Sequence, residues 1–265
     1  MLPDCYFYHI PKTGGMSTWQ LLELWYPESQ ICPGRMWDDI IRFPRRQLAQ
    51  YHAFRGHFLA FLEPYAGRKF ATFTVLRDPL ERTISHYCHA RRSPEHPFHH
   101  EANTLSLAEF CRHPRTRHMV RNYQSGCLAS FGQKSPGELA ARMTAEDFAG
   151  YQLQLALDPA PDLFPAPDKL YHAAADRLRS FVAVGITERL QESFSLIARA
   201  LRLPAPPVLP IRNAAPNRPA TLDRDTRRII HAHTEVDQAV YEAARRAIER
   251  QLDAVADWPR ASAAD

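Results

Sequence analysis

The chain is poor in the features that mark several protein classes. It has only five cysteines, Cys5, Cys32, Cys88, Cys111 and Cys127, scattered, odd in number and without a CxxC pair. That excludes a disulfide framework and fits free thiols in a reducing cytosol. No apolar run approaches the roughly 18 residues of a membrane span. The N-terminus lacks a basic segment leading into a long apolar stretch, so no export signal is expected. A soluble, cytoplasmic chain without a membrane span is the expectation. Charge of one sign is also scarce: 33 basic residues against 29 acidic leave a formal +4. Such a surplus does not argue for nucleic acid, although it suits a site that gathers anions. There is no internal repeat.

What is present is a full complement for a buried core. Hydrophobic residues make up 45% of the 265 and charged residues 23%, which suits one large domain over residues 1–265. Residues 4–10 (DCYFYHI) read as a buried strand that stops at Pro11. A loop with Gly14 and Gly15 follows, and then a helix in MSTWQLLELWY. The pattern recurs: 70–76 (FATFTVL) predicts a strand, Asp78 a helix cap and Pro79 the first helical turn. Further strands are predicted in 51–61 and 181–186. Thr187 is expected to cap a helix over 188–202.

Residues 91–104 read as an exposed loop, 105–130 and 138–157 as mostly helical, and proline-rich 158–168 as a non-helical crossing. Together 91–180 form a mostly helical and looped insertion. One long C-terminal helix is expected over 222–256, where Ile229, Val236, Val240, Ala244 and Ile248 share a stripe. Strands alternating with helices predict an α/β fold: a central, mainly parallel sheet flanked by helices in three layers, P-loop-like in outline.

A strand, a glycine loop and a helix N-terminus together make an anion site, because loop N–H groups and the helix dipole converge there. Lys12 adds a point charge, and Thr13, Ser17 and Thr18 add hydroxyls. The plainer alternative is a tight turn at Gly14–Gly15. The loop is not a Walker A motif, which places its lysine after the second glycine; here Lys12 precedes both. In the second unit, Arg77 ends a strand, and Arg82 and Ser85 share a helix face. The plainer alternative there is a solvated face with Arg77 or Arg82 paired to Glu81.

These residues carry a resemblance. HIPKTGGMST (9–18) resembles the 5′-phosphosulfate loop of sulfotransferases that use 3′-phosphoadenosine 5′-phosphosulfate (PAPS). The similarity is to the carbohydrate branch that includes heparan sulfate 2-O-sulfotransferases and bacterial relatives. Met16 stands where that branch usually has Thr. The resemblance implies that Pro11, Lys12, Thr13, Gly14, Gly15, Met16, Ser17 and Thr18 hold the 5′-phosphosulfate, with Lys12 on the bridging oxygen. TVLRDPLERTISHY (74–87) is similar to the family's 3′-phosphate motif and implies that Arg77 and Ser85 grip that phosphate. Arg82 reads as structural.

The remaining matches are looser. YHAFRGHF (51–58) resembles a segment in which a histidine is the candidate base, giving His57 that role and His52 as fallback. Arg55 replaces the first histidine of that pair, and His9 reads as structural. RNYQSGCLA (121–129) resembles a helical segment that could line the acceptor cleft or be an ordinary amphipathic helix. VGITERL (184–190) places Thr187 near the nucleotide, and the loop 209–219 offers Arg212 and Arg218 as late basic contacts.

The implied activity is transfer of a sulfuryl group from PAPS to a hydroxyl or amine, on a saccharide or other small-molecule acceptor. No metal is required, and no nucleic-acid partner is expected. The histidine-rich stretch invites a metal reading, but HExxH and paired CxxC spacings are lacking. A small-molecule kinase and a non-catalytic nucleotide-binding module are the rival functions.

Overall fold

A computed structural model of the protein describes residues 2–130, 165–208 and 221–256. Four parallel strands form its sheet: β1 (Cys5–Tyr8), β2 (Ala53–Gly56), β3 (Ala71–Leu76) and β4 (Ala183–Ile186), in the order β2-β1-β3-β4. The register sets Tyr8 against Gly56, Phe7 against Phe73 and Val75 against Gly185. All four strands fall inside the stretches that the aromatic and β-branched runs predict.

In chain order the helices are α1 (Gly15–Trp25), α2 (Trp37–Ile40), α3 (Arg45–Leu48), α4 (Leu62–Ala66), α5 (Pro79–Arg92), α6 (His99–Thr104), α7 (Leu107–Arg112) and α8 (Tyr123–Leu128). They continue with α9 (Pro167–Arg179), α10 (Leu190–Leu201), α11 (Arg224–His233) and α12 (Glu235–Ala256). The expected helix over 138–157 and most of the crossing segment lie outside the described residues. So do Arg212 and Arg218.

The sheet is covered on both faces, as an all-parallel sheet requires. On one face Cys5, Phe7, Phe73 and Val75 pack with Leu21 and Leu22 of α1 and with Phe194 and Ile197 of α10. On the other, Tyr6, Tyr8 and Phe54 meet residues of α8, α9 and α12. Each such fully buried side chain contributes about 1.5–3 kcal/mol. A third cluster joins α5, α6, α7 and α11 through Ile84, Tyr87, Ala102, Phe110 and Ile230. The general α/β architecture expected from the sequence is thus present. Among the described residues, no helix is long and apolar enough to cross a membrane.

Three local expectations are corrected. The stretch 91–104 is not an exposed loop: it holds α6, and Phe98 and Ala102 are buried in the third cluster. Its polar composition concealed two apolar anchors. The C-terminal helix is two helices that break at Thr234, because Asn122 intervenes. The Asn122 N–H donates to the His233 carbonyl (2.9 Å), and its Oδ1 accepts from the N–H groups of Val236 (3.0 Å) and Asp237 (3.3 Å). Thr187 does not cap a helix; it opens a short 3₁₀ turn, Thr187–Arg189, and its hydroxyl donates to the Leu76 carbonyl (3.0 Å). The cap of α5 is as expected: Asp78 Oδ1 accepts from the Glu81 N–H (3.0 Å), with Pro79 leading the helix.

Candidate active site

The strand order has a switch point. The chain leaves β1 toward β2 on one side, and leaves β3 toward β4 on the other. In open parallel sheets the crevice between two such strand ends is where ligands bind. The Lys12 loop follows β1 and Arg77 follows β3, so the two sequence motifs flank that crevice. Arg77 Nη1 donates to the Lys12 carbonyl (3.3 Å), bringing the two segments into contact.

The loop owes its shape to unusual backbone. Lys12 and Gly14 have positive φ, 75° and 87°. Gly14 suits its left-handed position because it has no Cβ. Gly15 is required for space: a Cβ there would fall 2.1 Å from Nε2 of His9. Beyond them α1 begins, and its first-turn N–H groups have no intrahelical acceptor. The loop hydroxyls do less than their number suggested. Thr13 Oγ1 donates to the Ile10 carbonyl (2.8 Å) and Thr18 Oγ1 to the Gly14 carbonyl (3.1 Å), so both hold the turn. Ser17 is buried at the helix start, and Met16 is exposed.

Lys12 is the electrostatic focus. Burial, then Arg92, Arg82 and Arg77, push its ammonium down to about 8. No carboxylate among the described residues forms an ion pair with it. A partly buried cation with three cationic neighbours gives a local positive potential that attracts anions. Arg77 has a weak carboxylate neighbour: its Nη2 lies 3.6 Å from Glu81 Oε2. The ion pair weighed at the sequence level is therefore formed, while Nη1 turns to the loop. Ser85 lies one helical turn before His89 on α5, half-buried.

Arg82 is structural. It is 1% exposed, its Nε donates to the Pro11 carbonyl (3.4 Å), its Nη1 donates to the Met119 carbonyl, and its guanidinium stacks 3.9 Å from the Tyr123 ring centre. His9 is structural too: its ring is stacked between Phe7 (4.9 Å) and His57 (4.3 Å).

His57 follows β2 at the same sheet end as Lys12. Its Nδ1 lies 2.8 Å from the His9 carbonyl. A carbonyl only accepts, so Nδ1 carries the proton and the neutral ring keeps its lone pair on Nε2. Burial lowers its pKa, opposed by the His9 hydrogen bond and reinforced by Lys12. His57 is therefore neutral at pH 7 and able to accept a proton. His52 precedes β2, at the opposite end of the sheet, and its Nδ1 is 2.6 Å from Asp4 Oδ1. It has no access to the Lys12 crevice. Arg55 is engaged by the Trp19 carbonyl (3.1 Å) and Glu23 (2.7 Å).

No protein-family model matches the chain, and no curated protein matches it. The site rests on its own geometry.

Sequence reasoning weighed three further members of this surround only as metal ligands and did not place them beside Lys12. His86, His89 and His96 cluster on the α5 side of Lys12, with His96 5.2 Å from His86 and 5.5 Å from His89, ring centre to ring centre. Burial, then charged neighbours including Lys12, lowers all three, His89 to about 4. His96 Nδ1 accepts from the Phe98 N–H (3.2 Å), which leaves the proton of the neutral ring on Nε2. His86 is 3% exposed, and neither of its nitrogens has a hydrogen-bond partner among the described residues. Among the described residues no group of three His, Cys, Asp or Glu converges as a metal site. The spacing of Ser85, His89 and Arg92 at i, i+4 and i+7 was the available signal. Thr187 lies beside Gly14, though its hydroxyl is committed to the Leu76 carbonyl.

Proposed function

We propose that the protein is a sulfotransferase of P-loop-like fold that takes its sulfuryl group from PAPS. The observation that carries this reading is the meeting of two cations at one switch point: a partly buried Lys12, which has no ion-pair partner among the described residues, and Arg77, whose guanidinium donates to the Lys12 carbonyl. Two cations at separate strand ends suit a ligand with two anionic ends, and PAPS has its phosphosulfate and its 3′-phosphate at opposite sides of the nucleoside. PAPS supplies the sulfuryl group and a phosphate leaving group.

In this reading the N–H groups of Gly15, Met16 and Ser17 face the phosphosulfate, and Thr13 and Thr18 keep the loop in shape. Arg77 and Ser85 take the 3′-phosphate. His57 Nε2 accepts the proton of the attacking hydroxyl or amine as the new bond to sulfur forms and the bond from sulfur to the bridging oxygen breaks. Lys12 stabilises the charge left on that oxygen, as a preorganised cation does. Thr187 acts through the loop, by supporting β3 beside Gly14. The acceptor is a saccharide or another small molecule.

Release of 3′-phosphoadenosine 5′-phosphate (PAP) from labelled PAPS over a panel of sugars, phenols and amines tests the reading. Label transfer that disappears in Lys12→Ala supports it. A panel without transfer, alongside γ-phosphate transfer from ATP with Mg²⁺, would replace it with the kinase alternative.

A further inference from the structure

We propose that Gln124 is a positioning residue that holds Arg77 in its anion-gripping pose, and that Asn122 and Asp237 tie this clamp to the C-terminal helix. The proposal rests on the PAPS reading above and gives the 121–129 segment a role other than lining an acceptor cleft.

Arg77 follows the last residue of β3, where the ladder ends. Gln124 supplies both hydrogen bonds that a neighbouring strand would have made. Its Oε1 accepts from the Arg77 N–H (3.0 Å) and its Nε2 donates to the Arg77 carbonyl (2.8 Å). Gln124 is 1% exposed, so neither bond competes with bulk water. With its backbone held at both polar atoms, Arg77 can direct its guanidinium to the Lys12 carbonyl (3.3 Å). Only an amide of this length offers one acceptor and one donor in the required places.

The clamp is itself anchored. Asp237, 1% exposed, accepts from the N–H groups of Gln124 (3.1 Å) and Ser125 (2.7 Å) and from the Ser125 hydroxyl (2.6 Å). Asn122 returns the favour at the start of α12 through Val236 and Asp237. Each helix start is capped by a side chain from the other segment. Asn122 takes a left-handed φ of 42° to do so, a conformation asparagine tolerates better than most residues. Residues 112 positions apart in the chain thereby fix one arginine at the crevice.

Calorimetric titration with PAP and with AMP, which lacks the 3′-phosphate, tests the clamp in wild type, Gln124→Leu, Arg77→Ala and the double variant. Gln124→Leu should weaken PAP binding on the order of 10–100-fold, the scale of an ångström of misplacement. AMP binding should be unchanged, and the double variant should be no worse than Arg77→Ala alone. Equal loss of both nucleotides, additive losses in the double variant, or wild-type PAP affinity in Gln124→Leu would overturn the proposal. If Gln124→Leu does not fold, Gln124→Asn keeps the amide but shortens its reach, and the same outcomes apply. A wild-type protein that binds AMP but gains nothing from the 3′-phosphate contradicts the PAPS reading itself, and the clamp falls with it.

Discussion

The Arg77 guanidinium donates to the Lys12 carbonyl over 3.3 Å, joining two cationic segments 65 residues apart in the chain. Lys12 has no ion-pair partner among the described residues, and Arg77 is paired with Glu81. Lys12 has three arginines for neighbours, and Arg77 Nη2 lies 3.6 Å from Glu81 Oε2. In the proposed reading this positive potential is what receives the anionic ends of the nucleotide.

Removal of the Lys12 ammonium should therefore slow transfer more than it weakens nucleotide binding. Lys12→Ala is expected to lower kcat by about 10²–10³, the usual cost of one preorganised charge-stabilising group. Single-turnover rates at saturating PAPS check this. An unchanged rate would remove Lys12 from the leaving-group role.

The pH dependence follows from two lowered groups. His57 must be neutral to accept a proton, and its pKa lies below 6.5, so kcat/KM should rise on an acid limb below that value. Lys12 must be charged, and its pKa is pushed down to about 8, so kcat/KM should fall as pH rises through about 8. An anion bound beside Lys12 favours its charged form, so the alkaline limb of kcat should lie higher than that of kcat/KM. His57→Gln should flatten the acid limb.

Gly15→Ala should be poorly tolerated, since its Cβ would meet His9 Nε2 at 2.1 Å. Overpacking of this kind costs about 1–3 kcal/mol. Thermal unfolding of Gly15→Ala, His9→Ala and the pair checks it. The double variant should recover part of the loss, because it removes the clash.

The cysteine thiols should be inert in the folded protein. Cys5, Cys32, Cys88, Cys111 and Cys127 are all buried, and burial pushes Cys5, Cys111 and Cys127 up to about 12. A thiol reagent at pH 8 should label them only as fast as the protein opens, and all at once in denaturant. Fast labelling of any one in native buffer would contradict its burial.

The strands and the two loops that follow them were legible because each signal was local: aromatic runs for β1 and β3, Gly14–Gly15 for the turn, Asp78–Pro79 for a helix start. The Asp78 cap was likewise readable, and Arg82 read as structural, although its full burial was not legible. What was not legible depends on distant partners. Periodicity through 222–256 runs unbroken across Thr234, because the break is made by Asn122 from another segment. Thr187 looks like a cap, but its hydroxyl finds the Leu76 carbonyl first. The sequence could not say that His52 and His57, five residues apart, lie at opposite ends of a short strand. Nor could it show that Gln124 reaches back to Arg77.

The most direct measurement is calorimetric titration of the wild-type protein with PAP, ATP with Mg²⁺, and AMP, repeated with Arg77→Ala. The account predicts that PAP binds far more tightly than the others and that Arg77→Ala removes most of that advantage. Tight binding of ATP with Mg²⁺ and none of PAP would contradict it.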